Sequence, residues 1–283
     1  MKCVAVVAGV VSIALSPQRP AFRAGVDTVE VYATVSDRAG RLVPNLPREE
    51  FQLLSDGKPV ELTVFSNEIK TITVVVLIDT SGSTVERLLW FRQSVGHLVD
   101  ALQGNDRLRI GSFGEEIAIS PHLTGDKAIL KRILRDELWP GGGTPLWRAM
   151  HEGIRSLAAE DGRRVVLVMS DGVNIGSRML ENDVRRRAVE GGFMVYALSA
   201  QGMGLGLLRD VAEATGGGYL EVRADADLNE TMTRVAEELR HQYMLGFTPP
   251  VIDGKPHRLT VRLTTSGLRA RAPREYVPQP KRP

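Results

Sequence analysis

The sequence predicts an α/β protein: a doubly wound, mostly parallel sheet with helices on both faces, joined to a small β-rich, sandwich-like domain built from both flanks. Three observations predict it. Between residues 71 and 242, strand-like apolar runs alternate with stretches of helical period, the β-α-β-α order that right-handed crossovers wind into a parallel sheet. Several of those strand runs are apolar on both faces, as in a sheet covered by helices on each side. The flanking segments instead alternate apolar and polar residues with the period of half-buried strands.

The elements follow in chain order. Residues 1–24 read as an export signal and leader. Met1-Lys2 is a short positive region, residues 3–15 are nearly uncharged and apolar, and Ala14 and Ser16 are small residues at which a peptidase could cut. The stretch is too short for a permanent membrane span; the alternative is a buried N-terminal strand. Cys3 is the one cysteine, so an intrachain disulfide is excluded, and removal of the signal would leave a cysteine-free chain suited to an oxidising compartment. The expected location is therefore outside the cytoplasm, in a bacterial periplasm or the extracellular space.

In residues 25–69, Val29, Val31, Ala33 and Val35 alternate with Glu30, Tyr32, Thr34 and Ser36, and Asp37-Arg38-Ala39-Gly40 reads as a turn. Phe51 and Leu53 begin a second strand, Asp56-Gly57 turns it, and residues 62–64 return. Residues 70–242 form the α/β unit, with strands expected at 71–78, 108–113, 165–169, 193–198 and 219–222. Leu88, Leu89, Phe91, Val95, Leu98 and Leu102 mark one helix face, and Leu228, Met232, Val235 and Leu239 another. Residues 243–277 return to strands through Leu259, Val261 and Leu263 and again near Leu268-Arg269-Ala270-Arg271. Asp253-Gly254-Lys255-Pro256 resembles Asp56-Gly57-Lys58-Pro59. Neither flank is large enough to bury a core alone, so 243–277 is expected to pack with 25–69. The polar, Pro-rich tail at 278–283 is expected to be disordered.

The 283 residues are enough for one large core and a smaller one, and a net charge of +2 argues against a nucleic-acid binder that works by neutralising phosphates. The Arg185-Arg186-Arg187 run reads as a solvated helix face.

The chemistry concentrates at Asp79-Thr80-Ser81-Gly82-Ser83, where a buried strand ends in a carboxylate and hydroxyls. The carboxyl ends of strands are where doubly wound sheets bind ligands. Carboxylate and hydroxyl oxygens are hard donors that suit Mg²⁺, Mn²⁺ or Ca²⁺. Asp79, Ser81 and Ser83 alternate along an extended loop and so share one side of it. Gly141-Gly142-Gly143-Thr144-Pro145-Leu146 is a glycine-rich loop entering a helix, where Thr144 could be only an N-cap. Asp171 follows the strand at 165–169 and emerges at the same sheet edge; alone it would read as a turn residue.

Together, Asp-x-Ser-x-Ser after the first strand, the threonine on a glycine loop and the later aspartate resemble the metal-ion-dependent adhesion site of von Willebrand factor type A domains, a Rossmann-like fold. Leu108-Arg109-Ile110-Gly111-Ser112-Phe113-Gly114 looks like that family's second strand. The stretches 46–59 and 238–249 look like the leader and trailer of a group of secreted bacterial proteins, abundant in acidobacteria, that carry such a domain. The resemblance implies a Mg²⁺ site built from Asp79, Ser81, Ser83, Thr144 and Asp171, with Mn²⁺ or Ca²⁺ as alternatives. It implies a protein partner that supplies an Asp or Glu carboxylate to the metal, and binding in place of catalysis.

The rival reading is a metal-dependent, phosphatase-like hydrolase with Asp79 as nucleophile. Such sites use a second carboxylate two residues on, where this chain has Ser81. Ser170 lacks a nearby histidine base, and His97, His122, His151, His241 and His257 show no zinc-ligand spacing. Gly202-Met203-Gly204-Leu205-Gly206 lacks the Lys-Ser/Thr of a phosphate loop. Gly216-Gly217-Gly218 reads as a helix stop.

Overall fold

The computed structural model describes residues 28–68, 71–200, 205–222 and 228–279. The expected export signal and leader, Gly202-Met203-Gly204 and the end of the tail at 280–283 lie outside them. Pro278, assigned to the tail by composition, is buried.

Four strands come first: β1 (Val29–Ser36), β2 (Phe51–Ser55), β3 (Lys58–Val60) and β4 (Leu62–Ser66). The α/β unit runs β5 (Thr73–Asp79), α1 (Val85–Asp100), β6 (Arg107–Phe113), β7 (Ile117–Ile119), α2 (Lys127–Asp136), α3 (Leu146–Ser156), β8 (Arg164–Ser170) and α4 (Glu181–Gly191). It continues through β9 (Phe193–Ala200), α5 (Leu205–Ala214), β10 (Tyr219–Val222) and α6 (Leu228–Arg240). The chain then closes with β11 (Tyr243–Phe247), β12 (His257–Leu263), β13 (Arg269–Arg271) and β14 (Glu275–Tyr276).

The central sheet has the order β10-β9-β8-β5-β6-β7. All its pairings are parallel except that of β7, which returns antiparallel on β6. β7 has three residues, too few to show a period in the sequence. Every residue of β5 is buried because both faces are covered. Val74, Val76 and Ile78 pack with α1, α2 and α6, and Val75 and Leu77 pack with α3, α4 and α5. Within α1, Leu88, Phe91, Val95 and Leu98 form the buried face, whereas Leu89, one helical step off that face, is 65% exposed.

The flanks form a two-layer sandwich. One sheet is ordered β13-β1-β11-β4 and the other β14-β12-β2-β3, so each flank supplies strands to both sheets. Val31 and Ala33 on β1 and Leu245 and Phe247 on β11 share a core with Phe51, Leu53, Leu259 and Tyr276. Phe51 and Tyr243 pack with ring centroids 4.8 Å apart, and Phe247 meets Tyr276 edge-on at 5.0 Å.

A buried polar network ties the sandwich to the α/β unit. Gln242 donates to Thr34 Oγ1 at 3.0 Å and accepts from Arg163 at 2.9 Å, and Arg163 also donates to the Thr71 carbonyl at 3.2 Å. Arg271 donates to the Tyr196 hydroxyl at 3.0 Å and to Glu238. Burial pushes the Tyr196 hydroxyl up to about 12. Thr71 and Arg163 lie just ahead of β5 and β8, so the joint sits at the amino ends of the central strands. Among the described residues no hydrogen bond joins the sandwich to Asp79, Ser81, Ser83 or Asp171.

The two similar Asp-Gly-Lys-Pro turns meet at His257. Its Nδ1 lies 2.7 Å from Asp56 Oδ2 and its Nε2 3.0 Å from Asp253 Oδ1. Only the doubly protonated imidazolium donates to both. The hydrogen bonds to Asp56 and then Asp253 raise the His257 pKa, and those same bonds lower both carboxyls. A raised folded pKa gives stability that is fully present below the unfolded value of about 6.5 and is lost as pH rises through the folded one. The lowered carboxyls give stability that is present above about 3.9 and is lost as pH falls through their folded values. Urea midpoints of wild type and His257→Asn should therefore differ most near pH 5–6 and converge as pH rises through the raised folded pKa of His257. A difference that is independent of pH would contradict this account.

Candidate metal centre

β5 and β8 are neighbours, and the chain leaves them in opposite directions, toward β6 and toward β9. That reversal opens a crevice beyond their carboxyl ends, the usual ligand position in such a sheet. Asp79 is the last residue of β5; Ser170 is the last residue of β8, and Asp171 follows it.

Asp79 is 0% exposed. A strand-end aspartate with no packing role would face solvent; this one is covered by the loop that follows it. Oδ1 accepts the Ser81 N–H at 3.0 Å, and Oδ2 accepts the Ser170 hydroxyl at 2.6 Å. The Thr84 hydroxyl lies 3.3 Å from Oδ1 and 3.0 Å from the carbonyls of Asp79 and Ser81, with one proton to share among them. Burial raises the Asp79 pKa; the hydrogen bonds from Ser170 and Ser81 oppose that, and the charge of Asp171 adds to it.

Above Asp79 the oxygens form a chain. Ser81 Oγ is 3.2 Å from Ser83 Oγ, which donates to Asp171 Oδ2 at 2.7 Å. Asp171 Oδ1 accepts the Val173 N–H at 3.1 Å, which fixes the carboxylate. Ser81 is 1% and Asp171 5% exposed, whereas Ser83 stands at the open rim. In an octahedron with bonds of about 2.0–2.1 Å, neighbouring oxygens lie about 2.9 Å apart. The observed spacings straddle that value, and the donors are hard oxygens, so the set fits Mg²⁺. Among the described residues no three His, Cys, Asp or Glu side chains gather to hold a metal. The oxygen set is therefore two carboxylates supplemented by hydroxyls.

Thr144 reaches this region through its backbone. It is 2% exposed and exchanges hydrogen bonds with Ile175, N–H to carbonyl at 3.1 Å and carbonyl to N–H at 2.8 Å. Among the described residues no hydrogen bond joins its side chain to the other four. The glycine loop before it packs on the Asp79 loop: Gly141 N–H donates to the Thr80 carbonyl at 2.8 Å and Gly82 N–H to the Gly142 carbonyl at 3.4 Å. This approach requires glycine. Gly142 has φ +76°, and a Cβ there would lie 2.3 Å from Glu115 Cα.

The structure thus links Asp79, Ser81, Ser83 and Asp171 and sets Thr144 at their edge. Sequence reasoning missed Ser170 and Thr84 as the groups that hold Asp79. Their signal was position: Ser170 ends the strand before Asp171, and Thr84 directly follows the motif. Ser170→Ala should destabilise the fold by about 1–3 kcal/mol, because a buried carboxylate oxygen loses its donor. It should also raise the Asp79 pKa further. Urea unfolding would show this, and an unchanged midpoint would mean that Ser170 carries no such role.

The comparisons with known proteins bear on the fold. Residues 46–205, more than half of the chain, match the family model described as VWA domain containing CoxE-like protein. The conserved hypothetical protein BatB from Bacteroides thetaiotaomicron superposes with a TM-score of 0.52 at 20% identity, covering 59% of this chain and 97% of that one. A von Willebrand factor type A protein from Catenulispora acidiphila gives 0.55 at 13% identity, covering 90% of this chain and 75% of that one. No curated protein matches the sequence. A doubly wound sheet of this order and a family model that spans residues 46–205, five of its six strands, lead to one conclusion: the protein belongs to the von Willebrand factor type A domain family.

Proposed function

We propose that the protein is a divalent-metal-dependent binding module. Ser81, Ser83 and Asp171 would hold Mg²⁺, with Asp79 and Thr144 completing the set, and a protein partner would supply an Asp or Glu carboxylate. The observation that carries this reading is the run of oxygens from Ser81 Oγ through Ser83 Oγ to Asp171 Oδ2 at the open end of the sheet. Once bound, the ion supplies a Lewis-acidic position for an incoming carboxylate. Ser81 and Ser83 are neutral, so they leave positive charge on the ion for the partner. Asp79 lies behind them and contributes charge without being reachable. Ser83, exposed at the rim, marks the side from which a partner approaches.

The burial of Asp79 supports binding over the hydrolase reading. A nucleophilic carboxylate needs an oxygen open to substrate, and both oxygens of Asp79 are engaged beneath the loop. Export, to a bacterial periplasm or the cell exterior, belongs to the same proposal and rests on Met1-Lys2 and the apolar residues 3–15. Among the described residues no helix is long and apolar enough to cross a membrane.

The test is calorimetric titration of the protein with Mg²⁺ and Mn²⁺. Asp79 is a poor position for the key substitution, because its removal would strand the Ser170 and Ser81 donors in a buried place. Ser83→Ala and Asp171→Asn act nearer the surface. Wild type should bind one ion saturably, and each variant should lose at least about tenfold in affinity while keeping its circular dichroism spectrum. No saturable binding by wild type, or equal binding by Asp171→Asn, would overturn the reading.

A further inference from the structure

Beside the oxygen cluster lies a cavity of about 370 Å³ whose wall includes Thr80, Ser112, Glu115, Glu116, Glu137 and Trp139. Thr80 sits between Asp79 and Ser81 in the chain, so the cavity shares backbone with the metal centre. Trp139 is 77% exposed. Its neighbour Leu138 is 3% exposed, which anchors the loop that holds the indole out. The three glutamates are exposed, and among the described residues none has an ion-pair partner. Arg92 donates to the Leu138 carbonyl from beneath the loop and is not part of the wall.

A further group makes this more than an acidic surface. Ser112 is 7% exposed, and among the described residues its hydroxyl has no hydrogen-bond partner. Its register with Ala118 places both on the sheet face that lines the cavity. The hydroxyl opens onto the cavity with its hydrogen-bonding capacity unused by the protein, so a ligand there can donate to it. The glutamates do not converge as metal ligands, since no three acidic side chains gather among the described residues. Separated carboxylates, an open hydroxyl and a flat indole together match a planar cation with several donors on an apolar stem.

We propose that this cavity takes an arginine side chain of the same partner whose carboxylate meets the metal centre; the assignment of that partner rests on the function proposed above. The guanidinium lies against the Trp139 indole, with its donors divided between the glutamates and Ser112 Oγ. Arginine fits better than lysine, whose compact ammonium cannot lie flat on an indole and reaches fewer separated acceptors than the planar, five-donor guanidinium. The partner thus presents an acidic residue and an arginine close together, and a partner with the acid alone binds more weakly.

The experiment follows the Trp139 indole N–H by NMR, assigned with Trp139→Phe, during titration with N-acetylarginine amide and with its neutral isostere N-acetylcitrulline amide. Both are run in chelator, so the metal plays no part. Arginine should move the resonance saturably, citrulline should bind at least about fivefold more weakly, and Glu115→Gln/Glu137→Gln should bring arginine to the citrulline level. Equal shifts with both probes, no shift with either, or unchanged binding by the double variant would overturn the proposal. So would Ca²⁺ moving the indole when arginine does not, which would make the cavity an ion site. In the same samples, Mg²⁺ added after chelator removal and followed at the Ser83 and Asp171 amides reads the metal centre separately. Failure there with arginine binding intact would remove the metal reading alone.

Discussion

One buried carboxylate organises the functional end of this protein. Asp79 has no exposed surface, yet it terminates the central strand of a parallel sheet. Taking a carboxylate out of water costs several kcal/mol unless donors or cations replace the lost hydration. The replacements come from two directions: the Ser81 N–H and Thr84 hydroxyl from the loop just past β5, and the Ser170 hydroxyl from the end of β8. Asp79 therefore requires β5 and β8 to be neighbours with their ends level, and it requires the Ser81 loop to fold back over it. Both requirements also bring Ser83 against Asp171. The oxygen cluster follows from satisfying Asp79.

The opposite end of the sheet carries a constraint of its own. Thr34, Arg163, Tyr196, Glu238, Gln242 and Arg271 bond across the boundary between sandwich and α/β unit. Buried polar groups of this kind favour one relative placement, because any other would leave them unpartnered. The sandwich is thereby held at the amino ends of the strands. Its own core needs both chain flanks, since β1 pairs with β11 and β2 with β12. The flanks on either side of the α/β unit are thus brought together at the end of the sheet opposite the site.

The parts of this architecture visible in the sequence are those written in periodicity and short motifs. The central strands could be read because burial on both faces leaves long apolar runs, and the Asp79, Ser81, Ser83 and Asp171 positions because strand ends are polar against that background. β7 was invisible, since three residues carry no period. Leu89 was placed on the α1 core face because it is apolar, although one helical step turns it to solvent. The burial of Asp79 could not be read either. It depends on Ser170, about ninety residues away in the chain, and a donor across that separation leaves no local pattern. The Ser112 cavity was hidden for the same reason: Ser112 lies on β6, Glu137 and Trp139 follow α2, and only the folded chain joins them.

Under the proposed function, with a divalent ion bound, the metal centre and the glutamate-lined cavity would have opposite electrostatic character, and that contrast bears on selectivity. A loaded metal centre with two neutral hydroxyls would attract carboxylates of every kind, so alone it would discriminate poorly between acidic partners. The adjoining wall of Glu115, Glu116 and Glu137 repels a uniformly acidic segment and rewards one that carries a cation beside its acid. Like-charge juxtaposition rejects wrong partners, and natural interfaces combine it with attraction for the right one. The Gly142 contact on Glu115 holds the acidic turn against the metal loop, so the attractive and repulsive elements keep a fixed relation to each other. On the proposed function, selectivity at this edge would depend on the spacing of two charges along the partner more than on the strength of either contact.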